Sequence, residues 1–336
     1  MKRANRALIA FCLTLACGTV VGIGLQKYFD LSAQVANGLR KAGLYQYAYG
    51  PAAALKNRTS QPTTVPEPLQ GKLKLYVLVG QSNMVGVADV PDGLAASANI
   101  FTFGNDYQWK LATEPVDDPT GQIDLISEDE EFGFGPAFTF AKTLVEQNSN
   151  QFIGLIPCAR SGSSITDWQK SLSDQSLYGS CLKRVRAAST MGTVSGILFF
   201  QGEADTIDPQ QYPSLRPDAG AWAEKFASFA YNFRNDLGNP DLPMVYAQLG
   251  QPEDLEGLPN WPLVQQQQEN IQIPNATMIK TNDLPMDGIH FTTDSYQVIG
   301  QRFADAIATL TSPAAEAFDN SIPNPNAESA PAESAQ

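Results

Sequence analysis

Histidine is nearly absent from this chain: His290 is the single one in 336 residues. Cysteine is scarce too, with four residues and no C-x-x-C spacing. A zinc site built on paired Cys or His ligands is therefore poorly supported. Charged residues are only 17% of the chain, and 22 basic residues face 35 acidic ones, a formal net charge of −13. Phosphate binding needs a basic face, so nucleic acid is excluded as the main partner. An acidic surface also does little to attract anionic lipids. Neutral molecules such as esters or uncharged glycans suit it better.

The start of the chain differs from the rest. "MKRANR" carries three cations and no acid, and Ala7 to Leu25 follows with no charge over 19 residues. A helix of that length rises roughly 28 Å, close to the hydrocarbon thickness of a bilayer. Cations before an apolar run point that end to the cytoplasm, which puts residue 26 onward outside it. The expectation for residues 1–25 is a signal-anchor or signal peptide, with partnership to the membrane through an N-terminal helix. The long core and the lack of an A-x-A site favour an uncleaved anchor over a cleaved signal. "LTLAC" gives a fainter likeness to a lipoprotein box, with Thr14 three residues before Cys17. Cys158 and Cys181 lie beyond this leader. Export permits a disulfide between them, and two buried thiols fit equally well.

Residues 26–71 read as a connector, polar and proline-bearing in "KNRTSQPTTVPEPLQG". Residues 312–336 are rich in Pro, Ala, Ser and Glu and read as a disordered tail. Residues 72–311 remain as one globular domain, with no internal repeat. Apolar runs at Leu73–Val79, Phe152–Pro157, Val194–Phe200, Met244–Leu249 and Thr277–Lys280 show no clean alternation. That is the pattern of parallel strands buried on both faces. Helical stripes fall between them: Trp222, Phe226, Phe229, Phe233 and Leu237 form one, and Tyr296, Ile299, Phe303, Ile307 and Leu310 the last, capped by Thr293 or Asp294. Alternating strands and helices predict a three-layer α/β/α sandwich with a mainly parallel central sheet, of flavodoxin-like type. Ligands in such folds bind at the carboxyl ends of the strands.

Chemistry-bearing residues gather at those ends. "KLYVLVGQSNMVG", from Lys74 to Gly86, ends a buried strand in a small polar turn around Ser82. A serine there is commonly a helix cap; beside free backbone N–H groups it is also well placed as a nucleophile. A hydroxyl needs a base at neutral pH, and His290, in "PMDGIHFTTDSY", is the single histidine to serve it. Asp287, three residues earlier, is spaced to fold back and fix the imidazole tautomer. "FFQGEAD" supplies an amide and a glycine after another strand, and "PCARSGSSITDW" a small-residue turn around Gly162 after a third. Donors from three strand ends are placed to meet at one developing oxyanion. Trp109, Trp168 and Tyr107 suit a sugar face, and equally a core or rim.

Taken in order, "GQSNM", "PCARSGSSITDW", "QGEAD" and "DGIHF" resemble the SGNH/GDSL hydrolases, and more narrowly the carbohydrate esterase family 6 and sialate O-acetylesterase-like group. "GPAFTFAKTL" and "GQRFADAI" resemble it too, so the likeness covers about 72–311. The resemblance implies a serine esterase that removes O-acetyl groups from an acetylated carbohydrate through an acetyl-enzyme, with no metal or organic cofactor. It implies Ser82 as nucleophile and His290 as base, with Asp287 as orienter and Glu203 as a rival acid beside the histidine. The oxyanion hole would be the N–H groups of Ser82 and Gly162 with the Gln201 amide. Two positions depart from the pattern: Ser161 precedes Gly162 where relatives carry a second glycine, and Ala204 stands where they carry serine. A non-catalytic glycan-binding protein on the same fold, and an acetyltransferase sharing the first half-reaction, are the alternatives.

Overall fold

A computed structural model of the chain describes residues 63–312. The leader, most of the connector and nearly all of the tail lie outside the described residues. Among the described residues no helix is long and apolar enough to cross a membrane.

Seven strands form one sheet in the order β3-β2-β4-β1-β5-β6-β7. They are β1 (Leu73–Gly80), β2 (Ile100–Phe103), β3 (Trp109–Leu111), β4 (Ile153–Pro157), β5 (Gly192–Phe200), β6 (Met244–Ala247) and β7 (Ala276–Ile279). All neighbours are parallel except β2 and β3, which form an antiparallel edge. The five expected strands are all present. The two additional ones are three and four residues long, too short for a period to declare itself.

The pleat explains the two layers. Leu75, Val77 and Val79 point into one apolar cluster, and Tyr76 and Leu78 into the other. On the first side pack α3 (Leu177–Ala188), α4 (Trp222–Asp236) and α5 (Trp261–Asn270). On the second lie α2 (Pro136–Gln147) and α6 (Thr293–Leu310), which also touch each other. The expected stripe of α4 is buried from Trp222 to Phe233, and that of α6 from Tyr296 to Ile307. The cap of α6 is Thr292, whose hydroxyl accepts from the Ser295 N–H, rather than Thr293 or Asp294. Trp168 and Trp109 are core residues, and the Tyr107 hydroxyl donates to Asp124. The sugar-face option for these three rings has no support in their placement.

The end of the expected connector belongs to the domain. Val65 is buried in the first core cluster, and the Thr63 N–H donates to the Trp109 carbonyl at 2.8 Å. This covers one end of the edge strand β3. Cys158, just past β4, is bonded to Cys181 in α3, which settles the thiol question for this fold.

Burial holds several carboxyls above their ordinary range. Desolvation pushes Glu114 up to about 8, Asp117 and Glu203 each to about 7, and Asp205 to about 6, and it raises Asp129. In the unfolded chain such groups ionise near pH 4. The folded state therefore holds more protons than the unfolded state between about pH 4 and 8, and stability falls as pH rises through that window. Calorimetry is expected to show Tm dropping by about 5 °C or more from pH 5 to pH 8. A flat or rising Tm over that range would contradict it.

Candidate active site

Sheet order brings the expected pieces together. β4, β1 and β5 are adjacent and parallel, so the loops after them leave from the same edge. Gly80 ends β1 opposite Phe200, the last residue of β5. Its φ is +148°, and a Cβ there would lie 2.0 Å from the Phe200 carbonyl oxygen. Only glycine lets the two strands stay paired up to the point where the chain turns into Ser82.

Ser82 opens a single helical turn, α1 (Ser82–Val85), with Gln81 at the cap position. The serine is therefore not the cap. Its Oγ lies 2.9 Å from His290 Nε2. Among the described residues the N–H of Ser82 donates to no protein acceptor, as expected for the first residue of a helical turn. The same is true of Gly162, whose φ of +69° sets its amide apart from the flanking turn. Three residues of that turn are pinned to Gly80 and Asp129. The Arg160 N–H and the Ser163 hydroxyl donate to the Gly80 carbonyl, at 3.0 and 3.3 Å. The Ser161 N–H donates to both oxygens of buried Asp129, which also pairs with Arg160 at 2.7 Å. Ser161 has no positive φ, so the departure from glycine there brings no strain.

His290 sits on a minimal hairpin, β8 (Met286–Asp287) against β9 (His290–Phe291), with Asp287 and His290 directly opposite. Gly288 takes φ +61° in the two-residue turn, as a II′-type connection demands. Burial lowers the His290 pKa, and the Asp287 charge partly offsets this by raising it. Neither Asp287 nor Glu203 makes a hydrogen bond to the imidazole among the described residues; Asp287 acts on it through its charge.

Two expected residues are held in buried hydrogen-bond networks. Gln201 is fully buried, and its Nε2 donates to Asp205 Oδ2 at 2.6 Å, to the Ser163 carbonyl at 3.1 Å and to Gln81 Oε1 at 3.3 Å. Its Oε1 accepts from Trp222 Nε1 at 2.9 Å. Both amide hydrogens thus have protein partners, where the expected oxyanion donor would have one free. Glu203 is 1% exposed and accepts from Asn83 Nδ2 at 2.5 Å; its other oxygen has no protein partner.

Sequence reasoning passed over the residues that hold this arrangement. Gln81 Oε1 accepts from the N–H groups of Gly202 and Ala204, tying the β1 loop to the β5 loop. Asp205 bridges the β5 loop to Ile165 and Asp218. Asn83, Gln81 and Asp205 all stand inside quoted motifs, so a signal was present. Asp129 had none, being one acid within an acidic run.

The arrangement has a hydroxyl on an imidazole nitrogen, a nearby charge on that imidazole, and two backbone N–H groups without protein acceptors. That is the equipment for acyl transfer from an ester. Known proteins agree with this chemistry. The chain is 26% identical over 255 residues to a probable carbohydrate esterase of Arabidopsis thaliana, spanning 69% of this chain and 89% of that one. A solved Arabidopsis thaliana structure aligns at 25% identity with a TM-score of 0.59, over 70% of this chain and 98% of that one. A carbohydrate acetylesterase from Xanthomonas citri aligns with a TM-score of 0.52 at 22% identity, over 70% of this chain and 56% of that one. NanS aligns with the same TM-score at 17% identity, over 71% and 98%. These last two show likeness of fold. A family model described as carbohydrate esterase, sialic acid-specific acetylesterase, matches residues 72–309, so the chain belongs to that family of carboxylic ester hydrolases, built on a mainly parallel α/β/α sandwich.

Proposed function

We propose that this chain removes O-acetyl groups from carbohydrate through an acetyl-enzyme on Ser82, outside the cytoplasm. The 2.9 Å contact between Ser82 Oγ and His290 Nε2 carries the reading. His290 Nε2 takes the Ser82 proton as Oγ attacks the acetyl carbonyl carbon. The N–H groups of Ser82 and Gly162 hold the resulting oxyanion. The sugar hydroxyl leaves with the proton from Nε2. Water then repeats the attack on the acetyl-serine, gives its proton to Nε2, and acetate departs as the proton returns to Oγ. Asp287 steadies the imidazolium formed in each half. The tight network at Gln201 gives it a supporting place behind the two backbone donors.

Two features support a place outside the cytoplasm: the cationic, then apolar, start of the chain and the Cys158–Cys181 bond. Disulfides persist mainly in oxidising compartments. The leader and the tail belong to the same proposal, as does a single catalytic domain over 72–311, extended at its start by the packed residues from Thr63.

The direct test is rapid quenching with 4-nitrophenyl acetate followed by peptide mass spectrometry. An acetyl adduct is expected on the Ser82 peptide. Turnover with no adduct under burst conditions, or an adduct elsewhere, would reject the acetyl-enzyme.

The pH profile gives a second expectation. Protonated His290 cannot accept a proton, and burial holds its pKa below the usual 6.5. The acid limb of kcat/KM therefore falls below pH 6.5, with full activity above it. Asp287 raises that pKa, so Asp287→Asn moves the limb to lower pH. Asp287 is exposed, and solvent screening limits the loss of plateau rate to roughly 10–100-fold. An acid limb that stays in place in Asp287→Asn would remove Asp287 from the mechanism.

A further inference from the structure

The residue after the nucleophile is engaged more heavily than the nucleophile itself. Asn83 is fully buried. Its Nδ2 donates to Glu203 Oε1 at 2.5 Å and to the Ile289 carbonyl at 3.0 Å. Its Oδ1 accepts from the Tyr296 hydroxyl at 2.6 Å. A backbone carbonyl only accepts, so the amide nitrogen must face Ile289 and the oxygen must face the tyrosine. The amide therefore has one orientation.

These partners come from separate parts of the fold. Glu203 follows β5, Tyr296 lies in the first turns of α6, and Ile289 is the turn residue immediately before His290. The hairpin carrying His290 has two residues per strand and pairs with no other strand. So short a hairpin has little stability of its own. Consecutive residues of the nucleophile turn thus hold consecutive residues of the hairpin: Ser82 meets the His290 ring, and Asn83 meets the Ile289 carbonyl. Among the described residues Glu203 accepts a hydrogen bond from Asn83 and makes none with the imidazole. Its second oxygen is buried with no partner at full hydrogen-bond geometry, and burial raises the pKa of the carboxyl, a poor setting for a charge that balances a cation.

We propose that Asn83 is a positioning residue that fixes the distance between Ser82 and His290, and that Glu203 acts through Asn83, as a hydrogen-bond acceptor, rather than on the imidazole. This rests on Ser82 and His290 being the reacting pair. A misplacement of about 1 Å between reacting groups costs on the order of 100-fold in rate. Asn83, Glu203 and Tyr296 are all buried away from the surface a substrate would meet, so the loss is expected in kcat.

The test uses the full chain, 4-nitrophenyl acetate and pH profiles, with Ser82→Ala as reference. Asn83→Ala and Glu203→Ala are each expected to lower kcat on the order of 100-fold, with KM within about threefold. Tyr296→Phe frees one side of the amide and is expected to lose about tenfold. Glu203→Gln keeps an oxygen that accepts from Asn83, so it recovers kcat to within about tenfold of the wild type with the acid limb unmoved. Glu203→Gln as impaired as Glu203→Ala, with a shifted acid limb, would show that the charge acts on His290 and overturn the proposal. Wild-type kcat in Asn83→Ala would overturn it as well. Should Asn83→Ala fail to fold, wild-type kcat in Tyr296→Phe is the overturning result in its place. An active Ser82→Ala protein would instead sink the underlying reading of the reacting pair.

Discussion

Ser82→Ala and His290→Ala are each expected to lower turnover of acetyl esters by roughly 10⁴–10⁶-fold, the range seen when nucleophile or base is lost from a serine hydrolase. The geometry gives no substitute for either. His290 is the single histidine of the chain, and its Nε2 is the hydrogen-bond partner of Ser82 Oγ. The two act as one unit, so the double variant should be no slower than either single one. Folding should survive. Among the described residues the lost hydroxyl bonds to the imidazole alone, and His290 is partly exposed on a hairpin outside the main sheet. Circular dichroism and thermal melts of both variants are expected to match the wild type within a few degrees. Retained turnover in either well-folded variant would overturn the nucleophile–base assignment. A fall of less than about 100-fold would point to a reaction that does not pass through serine.

What was legible in the sequence follows from what one-dimensional patterns can carry. Central strands such as Leu73–Gly80 and Gly192–Phe200 are apolar because helices cover both faces of the sheet, and that signal is local. The edge pair β2–β3 is too short to show a period. Ser82 and His290 were legible as candidates because each lies in a small polar stretch that follows a strand-like run, and because histidine is so scarce. The engagement of the Gln201 amide inside the protein was not legible, for a physical reason. The position of a loop follows from strand order, but the direction of a side chain depends on partners that the motif does not rank. Here Asp205, Ser163 and Gln81 take both amide hydrogens from inside the protein. The Asp129–Arg160 clamp was invisible because its partners lie 31 positions apart and meet only after folding.

Asp205→Ala should be the most damaging substitution to the scaffold of the site. The carboxylate is fully buried and receives three hydrogen bonds: from the Ile165 N–H at 2.8 Å, the Asp218 N–H at 2.8 Å and Gln201 Nε2 at 2.6 Å. Alanine takes the acceptor from the buried Ile165 N–H and the half-buried Asp218 N–H, at about 1–3 kcal/mol each, and removes the shortest of the three bonds of Gln201 Nε2. The loss is several kcal/mol, a large part of the roughly 5–15 kcal/mol that keeps a domain folded. It also unties the loop after β4, which carries Gly162, from the loop after β5. Activity should therefore fall before the domain melts, through a loosened oxyanion hole. Asp205→Asn keeps one accepting oxygen but turns an amide toward donors that need acceptors, so it should land between alanine and wild type. Urea titration should show the midpoint shifted strongly downward with an unchanged slope. Desolvation pushes Asp205 up to about 6, so ionising it in the fold weakens stability as pH rises; losing the group removes that part of the pH dependence. An alanine variant as stable as the wild type would mean that water reaches the three donors and that the loops hold together without this carboxylate.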